Sequence, residues 1–337
     1  MASSTGTDRP QTVVVTGASA GIGRATARAF AERGARIGLI ARGAAGLEAA
    51  RADAERLGGQ ALVLPLDVAD AAAVEDAAAR VENLFGPIDV WVNNAMVSIF
   101  APVAETSAED FRRVTDVTYH GVVHGTMAAL RRMRPRNRGV IVQVGSALAY
   151  RGIPLQAAYC GAKHAIQGFN DSLRAELLHE GSGIRLTMVQ LPALNTPQFG
   201  WVKTTLPNHP QPVPPIFQPE VAARAIVWAA DHPRREIAVG APALLGILGD
   251  RIVPGLLDRY LAATGIEGQQ TDRPLPPDHR DNLWQPLDAD EDRGAHGPFD
   301  DRAAGFSPQW WLNARRGWLA AAATGLAGVG VWWKETR

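Results

Sequence analysis

The chain of 337 residues carries 34 Lys+Arg against 34 Asp+Glu, and 46% of it is hydrophobic. That length fits one large domain or two modest ones, with apolar content for a sizeable core and no basic excess to favour nucleic acid as a partner. The single cysteine, Cys160, excludes an intrachain disulfide and any multi-cysteine metal site, and it suits a reducing compartment.

Residues 1–10 are polar and lack an apolar core, so no secretory signal is expected. Thr12–Val15 reads as a first strand, running into T-G-A-S-A-G-I-G, with a helix over Ala25–Arg33. The alternation then repeats: strand Ala35–Ala41, helix Ala44–Leu57, strand Ala61–Leu66, helix Ala71–Phe85 and strand Asp89–Asn93. It continues through helix Ala108–Met133, strand Gly139–Val144, helix Tyr159–His179, strand Arg185–Gln190, helix Glu220–Asp231 and strand Glu236–Val239. Apolar strands alternating with amphipathic helices predict an α/β fold, a doubly wound parallel sheet with helices on both faces. That is the Rossmann-like, dinucleotide-binding architecture.

Two segments break the rhythm. Pro192–Pro219 includes P-N-H-P-Q-P-V-P-P, and irregular chain of that length between a strand and a helix reads as a substrate lid or loop. From Gly268 to Pro308 the chain holds eight aspartates and six prolines, which reads as an extended linker pinned at Trp284, Phe299 and Phe306. Residues 309–337 then read as a hydrophobic C-terminal helix. Its uncharged stretch 317–333 has 17 residues, with tryptophans near both ends and Arg315, Arg316 and Lys334 flanking it. Two readings stand side by side: a membrane anchor at the lower limit of length, or a small-residue helix packed on protein.

The chemistry-bearing residues cluster after the strands. Gly17, Gly21 and Gly23 form G-x-x-x-G-x-G between a strand and a helix, where glycine lets the backbone approach a pyrophosphate held by the helix N-terminus. Arg42 follows the second strand, where an NAD site usually carries an acid; a cation there favours the 2′-phosphate of NADP(H) over NAD(H). Tyr159 and Lys163 are four residues apart, so phenol and ammonium share a helix face. A nearby cation is expected to lower the tyrosine pKa towards working pH, fitting it for proton transfer with a substrate oxygen. Ser146, thirteen residues earlier, supplies a hydroxyl to hold that oxygen. His120, His124 and His164 lie on helices without metal-site spacing and read as packing or surface residues. Cys160 reads as a small packing residue.

Together T-G-A-S-A-G-I-G, Asp67-Val68, N-N-A at 93–95, Ser146 and Y-x-x-x-K resemble a short-chain dehydrogenase/reductase of the compact single-domain branch, over about Gln11 to Gly265. The resemblance implies that Ser19, Ala20, Gly21, Ile22 and Gly23 cradle the pyrophosphate. Asp67 and Val68 would border the adenine, and Asn93 and Ala95 would lie along the adenosine side. Lys163 would bind the nicotinamide ribose, with Tyr159 as acid or base and Ser146 orienting the substrate oxygen. Three departures stand out. Met96 replaces the glycine usual after N-N-A, Thr118 replaces an asparagine that supports a water relay to the lysine, and Leu191-Pro192 replaces the usual Pro-Gly. The resemblance places Thr196 near the carboxamide of the nicotinamide.

The expected activity is hydride transfer between NADP(H) and a carbonyl/alcohol pair of a hydrophobic substrate in the cytoplasm, and the resemblance implies a homodimer or homotetramer. Association with a membrane would run through 317–333. The alternative is a non-catalytic NADP-binding sensor or scaffold, which Thr118 and Met96 favour and the intact Ser–Tyr–Lys set opposes.

Overall fold

The computed structural model describes residues 9–316. Its central sheet has seven strands: β1 (Thr12–Thr16), β2 (Arg36–Ala41), β3 (Gln60–Pro65), β4 (Val90–Asn93), β5 (Gly139–Val144), β6 (Ile184–Gln190) and β7 (Glu236–Ala238). They pair in the order β7-β6-β5-β4-β1-β2-β3, every neighbour parallel. The sequence T-V-V-V-T of β1 is buried throughout, because a sheet covered on both faces needs β-branched apolar residues without alternation.

Helices α1 (Gly21–Ala31), α2 (Ala44–Arg56), α3 (Ala71–Phe85), α4 (Ala108–Thr115), α5 (Gly121–Met133) and α6 (Ala157–His179) follow in chain order, with a short α7 (Gln198–Trp201) and then α8 (Pro219–Asp231). One layer buries Phe30, Leu47 and Ile226 against Val13, Leu39 and Val142; the other buries Val81, Met133 and Leu173 around Trp91 and Ile141. Asp70 caps α3 by accepting from the amides of Ala72 and Ala73, and Ser107 caps α4 by accepting from Asp110. Between α4 and α5 the chain makes a π-helical turn over Asp116–His120, within the single helix expected for Ala108–Met133.

The strand order reverses at β1, which lies between β2 and β4. The crevice beyond the carboxyl ends of β1 and β4 is the usual ligand site of such a sheet. Gly17–Gly23, Asn94–Met96, Ser146 and Leu191–Thr196 all leave strands at that end.

Beyond β7 the chain adds α9 (Ala241–Ile252) and α10 (Pro254–Thr264), which periodicity did not reveal. The proline-rich segment is less irregular than its composition predicts. Lys203–Thr204 pairs with Ile99–Phe100, Asn208–Pro210 with Gln270–Pro274, and Ile216–Phe217 with Ala303–Ala304. The Asp/Pro-rich segment after Gly268 is likewise a strap laid on the body. Leu283 is fully buried there and Phe299 nearly so, whereas Trp284 and Phe306 remain half exposed.

A last helix starts at Pro308. Its Gln309 side chain accepts from the Gly240 amide and donates to the Ala238 carbonyl, which closes the outer edge of β7. Trp310 packs edge-on against Trp228 at 5.4 Å. The expected hydrophobic stretch 317–333 lies outside the described residues. Among the described residues no helix is long and apolar enough to cross a membrane.

Candidate active site

The turn after β1 forces glycine. Gly17 has φ +66° and Gly21 φ +55°, and a Cβ on Gly23 would stand 2.0 Å from the Gly17 carbonyl oxygen. This close approach sets the N-terminus of α1 against the end of β1. Ala20 offers α1 no side-chain cap, and the Ile22 amide has no backbone acceptor among the described residues. These donors suit a pyrophosphate. Ser19, Ala20, Gly21 and Ile22 line the trough beside Asp67, Val68 and Ala95.

The loop is tied to β4 by the N-N-A segment, though not through the residue expected. Asn93 lies in the core: Trp91 Nε1 donates to its Oδ1 at 2.8 Å, and its Nδ2 donates to Thr126 and Gln143. Asn94 faces the trough instead and donates to the carbonyls of Thr16 and Gly17. Neighbouring strand residues point to opposite sides, so one of the pair had to turn inward. Met96, where the resemblance implies a glycine, lines both this trough and the cavity next to it. Ile22, Asn94, Thr196 and Gln198 also line both.

Ser146 follows β5 and accepts from the Leu148 amide at 3.1 Å. Tyr159 and Lys163 project from the first turns of α6 on one face, with Lys163 Nζ 5.5 Å from the centre of the Tyr159 ring. Burial pushes the phenol up from its ordinary value, opposed by the hydrogen bond with Ser146. Desolvation thus works against the lowered value expected from the Tyr–Lys spacing and favours the acid form of Tyr159. Lys163 is 2% exposed, and burial pushes its ammonium down from 10.5 to about 8. It donates to the Val144 carbonyl at 2.7 Å.

The triplet opens into a cavity of ≈ 610 Å³. Apolar side chains dominate its wall, among them Phe100, Leu148, Ile153, Leu191, Phe199, Leu257 and Leu261. Pro192 and Val213–Pro215 close one side, and α10 closes another. The helices that sequence periodicity missed thus build part of the wall.

Thr118 stands where the resemblance implies an asparagine. Fully buried in the π-helical turn, its hydroxyl donates to the Val97 carbonyl and accepts from the Val97 amide. It clamps the chain after β4 to the helix beneath. Thr196 packs on Gly21, whose Cβ would lie 3.3 Å from the threonine Cβ.

Arg42 is engaged by the strap, its guanidinium donating to the carbonyls of Asn282, Leu283 and Trp284. Asp67 pairs with Arg113, which also donates to the Leu283 carbonyl. Remaining candidates are ordinary: His120 bonds Asp116, His124 the Val68 carbonyl and His164 the Cys160 carbonyl. Cys160 is buried, and burial pushes its thiol up, away from nucleophilic character.

Comparison with known proteins decides the family. The model of the short chain dehydrogenases matches residues 11–205. The chain belongs to the short chain dehydrogenase family. It is an oxidoreductase of that type, and the family uses nicotinamide cofactors. It is 31% identical over 326 residues to the uncharacterized oxidoreductase YxnA of Bacillus subtilis, covering 96% of this chain and 90% of that protein. A match of that extent takes in the strap. It is 30% identical over 273 residues to dehydrogenase/reductase SDR family member 7B of Bos taurus, covering 76% of this chain and 81% of that protein. The probable oxidoreductase EphD of Mycobacterium bovis is 42% identical over 178 residues, which is 52% of this chain and 30% of that protein.

Proposed function

We propose that this short chain dehydrogenase moves hydride between a nicotinamide dinucleotide and the carbonyl/alcohol carbon of a hydrophobic small molecule, with Tyr159 as the proton donor in reduction. The observation that carries this reading is the joint opening of Ser146, Tyr159 and Lys163 into one apolar cavity that shares its wall with the glycine-loop trough.

The residues fit the cofactor: the glycine loop leaves room for backbone against pyrophosphate, and the Ile22 amide in the first turn of α1 has no backbone acceptor among the described residues. A bound nicotinamide supplies or accepts the hydride. Ser146 orients the substrate oxygen beside the phenol. Tyr159, kept protonated by burial, delivers a proton to that oxygen as negative charge develops on it. Lys163 adds positive charge beneath the phenol. The apolar wall excludes water and selects substrates with little polar surface.

The choice expected from sequence, NADP(H), rests on Arg42. Its engagement by three strap carbonyls weakens that support, and the alternative cofactor is NAD(H). A catalytic role is favoured over a sensor or scaffold because Thr118 and Met96 leave the proton-transfer group in place.

The test is turnover by purified protein with NADH and NADPH, followed at the nicotinamide absorbance across hydrophobic and small polar ketones and aldehydes. Turnover confined to the hydrophobic members is expected. Preference for small polar carbonyls contradicts the substrate class, and binding of either dinucleotide without turnover of any carbonyl contradicts the enzyme reading.

A further inference from the structure

We infer that Asp288, carried by the C-terminal strap, is the acid that receives the adenosine ribose hydroxyls, and that it makes the site selective for NAD(H) against NADP(H). The inference rests on the dinucleotide reading of the trough. Dinucleotide sites of this architecture usually present that acid from the end of the second strand, where a carboxylate accepts from the ribose and repels a 2′-phosphate. Here that position is Arg42, and the strap brings a carboxylate to the same place from the other end of the chain.

Asp288 is 6% exposed and lines the trough together with Ser19, Arg42 and Asp67. Its carboxylate lies on the turn between β2 and α2: a Cβ on Gly43 would stand 1.9 Å from Oδ1, and one on Gly46 2.8 Å from Oδ2. Neither oxygen takes a hydrogen bond or an ion pair among the described residues. The oxygens reach the solvent of the trough, with the Arg42 charge nearby, so the carboxylate is free to accept from the hydroxyls of a ligand lying there.

The other half of the argument is the seat of the 2′-phosphate. In such a site the phosphate is received by the cation after the second strand and the amides that start the next helix. Both are already engaged. Arg42 donates to the three carbonyls of residues 282–284, and the amides of Ala45 and Gly46 donate to the carbonyls of Ala289 and Asp288. The strap is fastened over this end at two further points. Arg24, buried in the body, pairs with Asp292, and the Gly21 amide donates to the Gly294 carbonyl. A phosphate dianion there would displace these contacts and face Asp288 at close range, whereas two neutral hydroxyls would satisfy it.

Affinity of the full chain for NADH and for NADPH, measured by calorimetric titration without substrate, tests the inference. The wild type is expected to bind NADH more tightly. Asp288→Asn is expected to shift the NADPH:NADH affinity ratio towards NADPH by about tenfold to a hundredfold, the range for losing a hydrogen bond to a charged acceptor. Asp290→Asn, an exposed acid two residues along the same strap, should leave the ratio unchanged and so controls for strap charge. Tighter NADPH binding by the wild type, or a ratio unmoved by Asp288→Asn, overturns this inference while leaving the dinucleotide reading intact. Failure to bind either dinucleotide overturns both.

Discussion

Lys163 Nζ donates to the Val144 carbonyl at 2.7 Å while standing 5.5 Å from the centre of the Tyr159 ring, so the cation is fixed by the strand that delivers Ser146. The same burial disfavours the charged form of each partner, lowering the pKa of the ammonium and raising that of the phenol. Charge state, not spacing alone, then sets the direction in which the pair works best.

A pH dependence follows. Lys163 loses its proton near pH 8, and the neutral amine no longer steadies charge beside the phenol. In the reducing direction kcat/KM is expected to fall as pH rises through about 8, with Tyr159 adding no loss there because burial holds its proton. A profile flat to high pH contradicts this. Folding responds with the opposite sign. With its folded pKa depressed, this group's contribution to stability grows as pH rises from about 8 to 10.5, and is lost as pH falls back through about 8. Melting of wild type against Lys163→Met on both sides of that window checks it: the wild type should gain on the variant at the alkaline end.

Gly23→Ala places a methyl 2.0 Å from the Gly17 oxygen and 2.7 Å from Asn94 Nδ2. Neither partner is free to retreat, since Asn94 is bonded to the same turn. The substitution is expected to cost about 1–3 kcal/mol of stability in urea unfolding and to abolish dinucleotide binding. An alanine variant with wild-type affinity would show that the turn tolerates expansion.

Asn93 and Asn94 should separate stability from binding. Asn93→Ala leaves Trp91 Nε1 without its acceptor and breaks the network with Thr126 and Gln143. It is expected to cost about 1–3 kcal/mol, with dinucleotide affinity retained by the folded fraction. Asn94→Ala is expected to lower dinucleotide affinity about tenfold through a slackened loop, with a smaller effect on melting. The reverse pattern would return the binding role to Asn93.

Thr118→Val keeps the side-chain shape and removes both bonds to Val97. Loss of about 1–3 kcal/mol in denaturant unfolding is expected, while Thr118→Ser keeps wild-type stability and turnover. Turnover lost in the serine variant would show that the threonine methyl matters, against the clamp.

Much of the fold was legible because its strands are doubly covered. Runs such as Val13–Val15 and Ile141–Val142 are unbroken apolar sequence, and the amphipathic helices between them keep their period. The ribbons at 203–204 and 216–217 have two residues per strand, too few for any period to register. The strap was legible only as composition. Aspartate and proline mark a segment without a core of its own, but this one is held by backbone carbonyls on Arg42 and by Arg24 on Asp292, partners about 240 and 268 residues away. At the site, motif order located the glycine loop and Ser146–Tyr159–Lys163. It could not say which asparagine of the pair faced inward, nor that Arg42 had acceptors waiting. Both facts belong to tertiary structure.

The central claim is that Tyr159 donates the proton while hydride reaches a hydrophobic carbonyl. The direct measurement is nicotinamide oxidation by wild type and Tyr159→Phe, with a carbonyl the wild type reduces and the dinucleotide near saturation. Removal of a general acid costs about 10²–10⁴ in rate; the account predicts a loss of that size in kcat with dinucleotide affinity nearly unchanged. A Tyr159→Phe enzyme that turns over at the wild-type rate would contradict it.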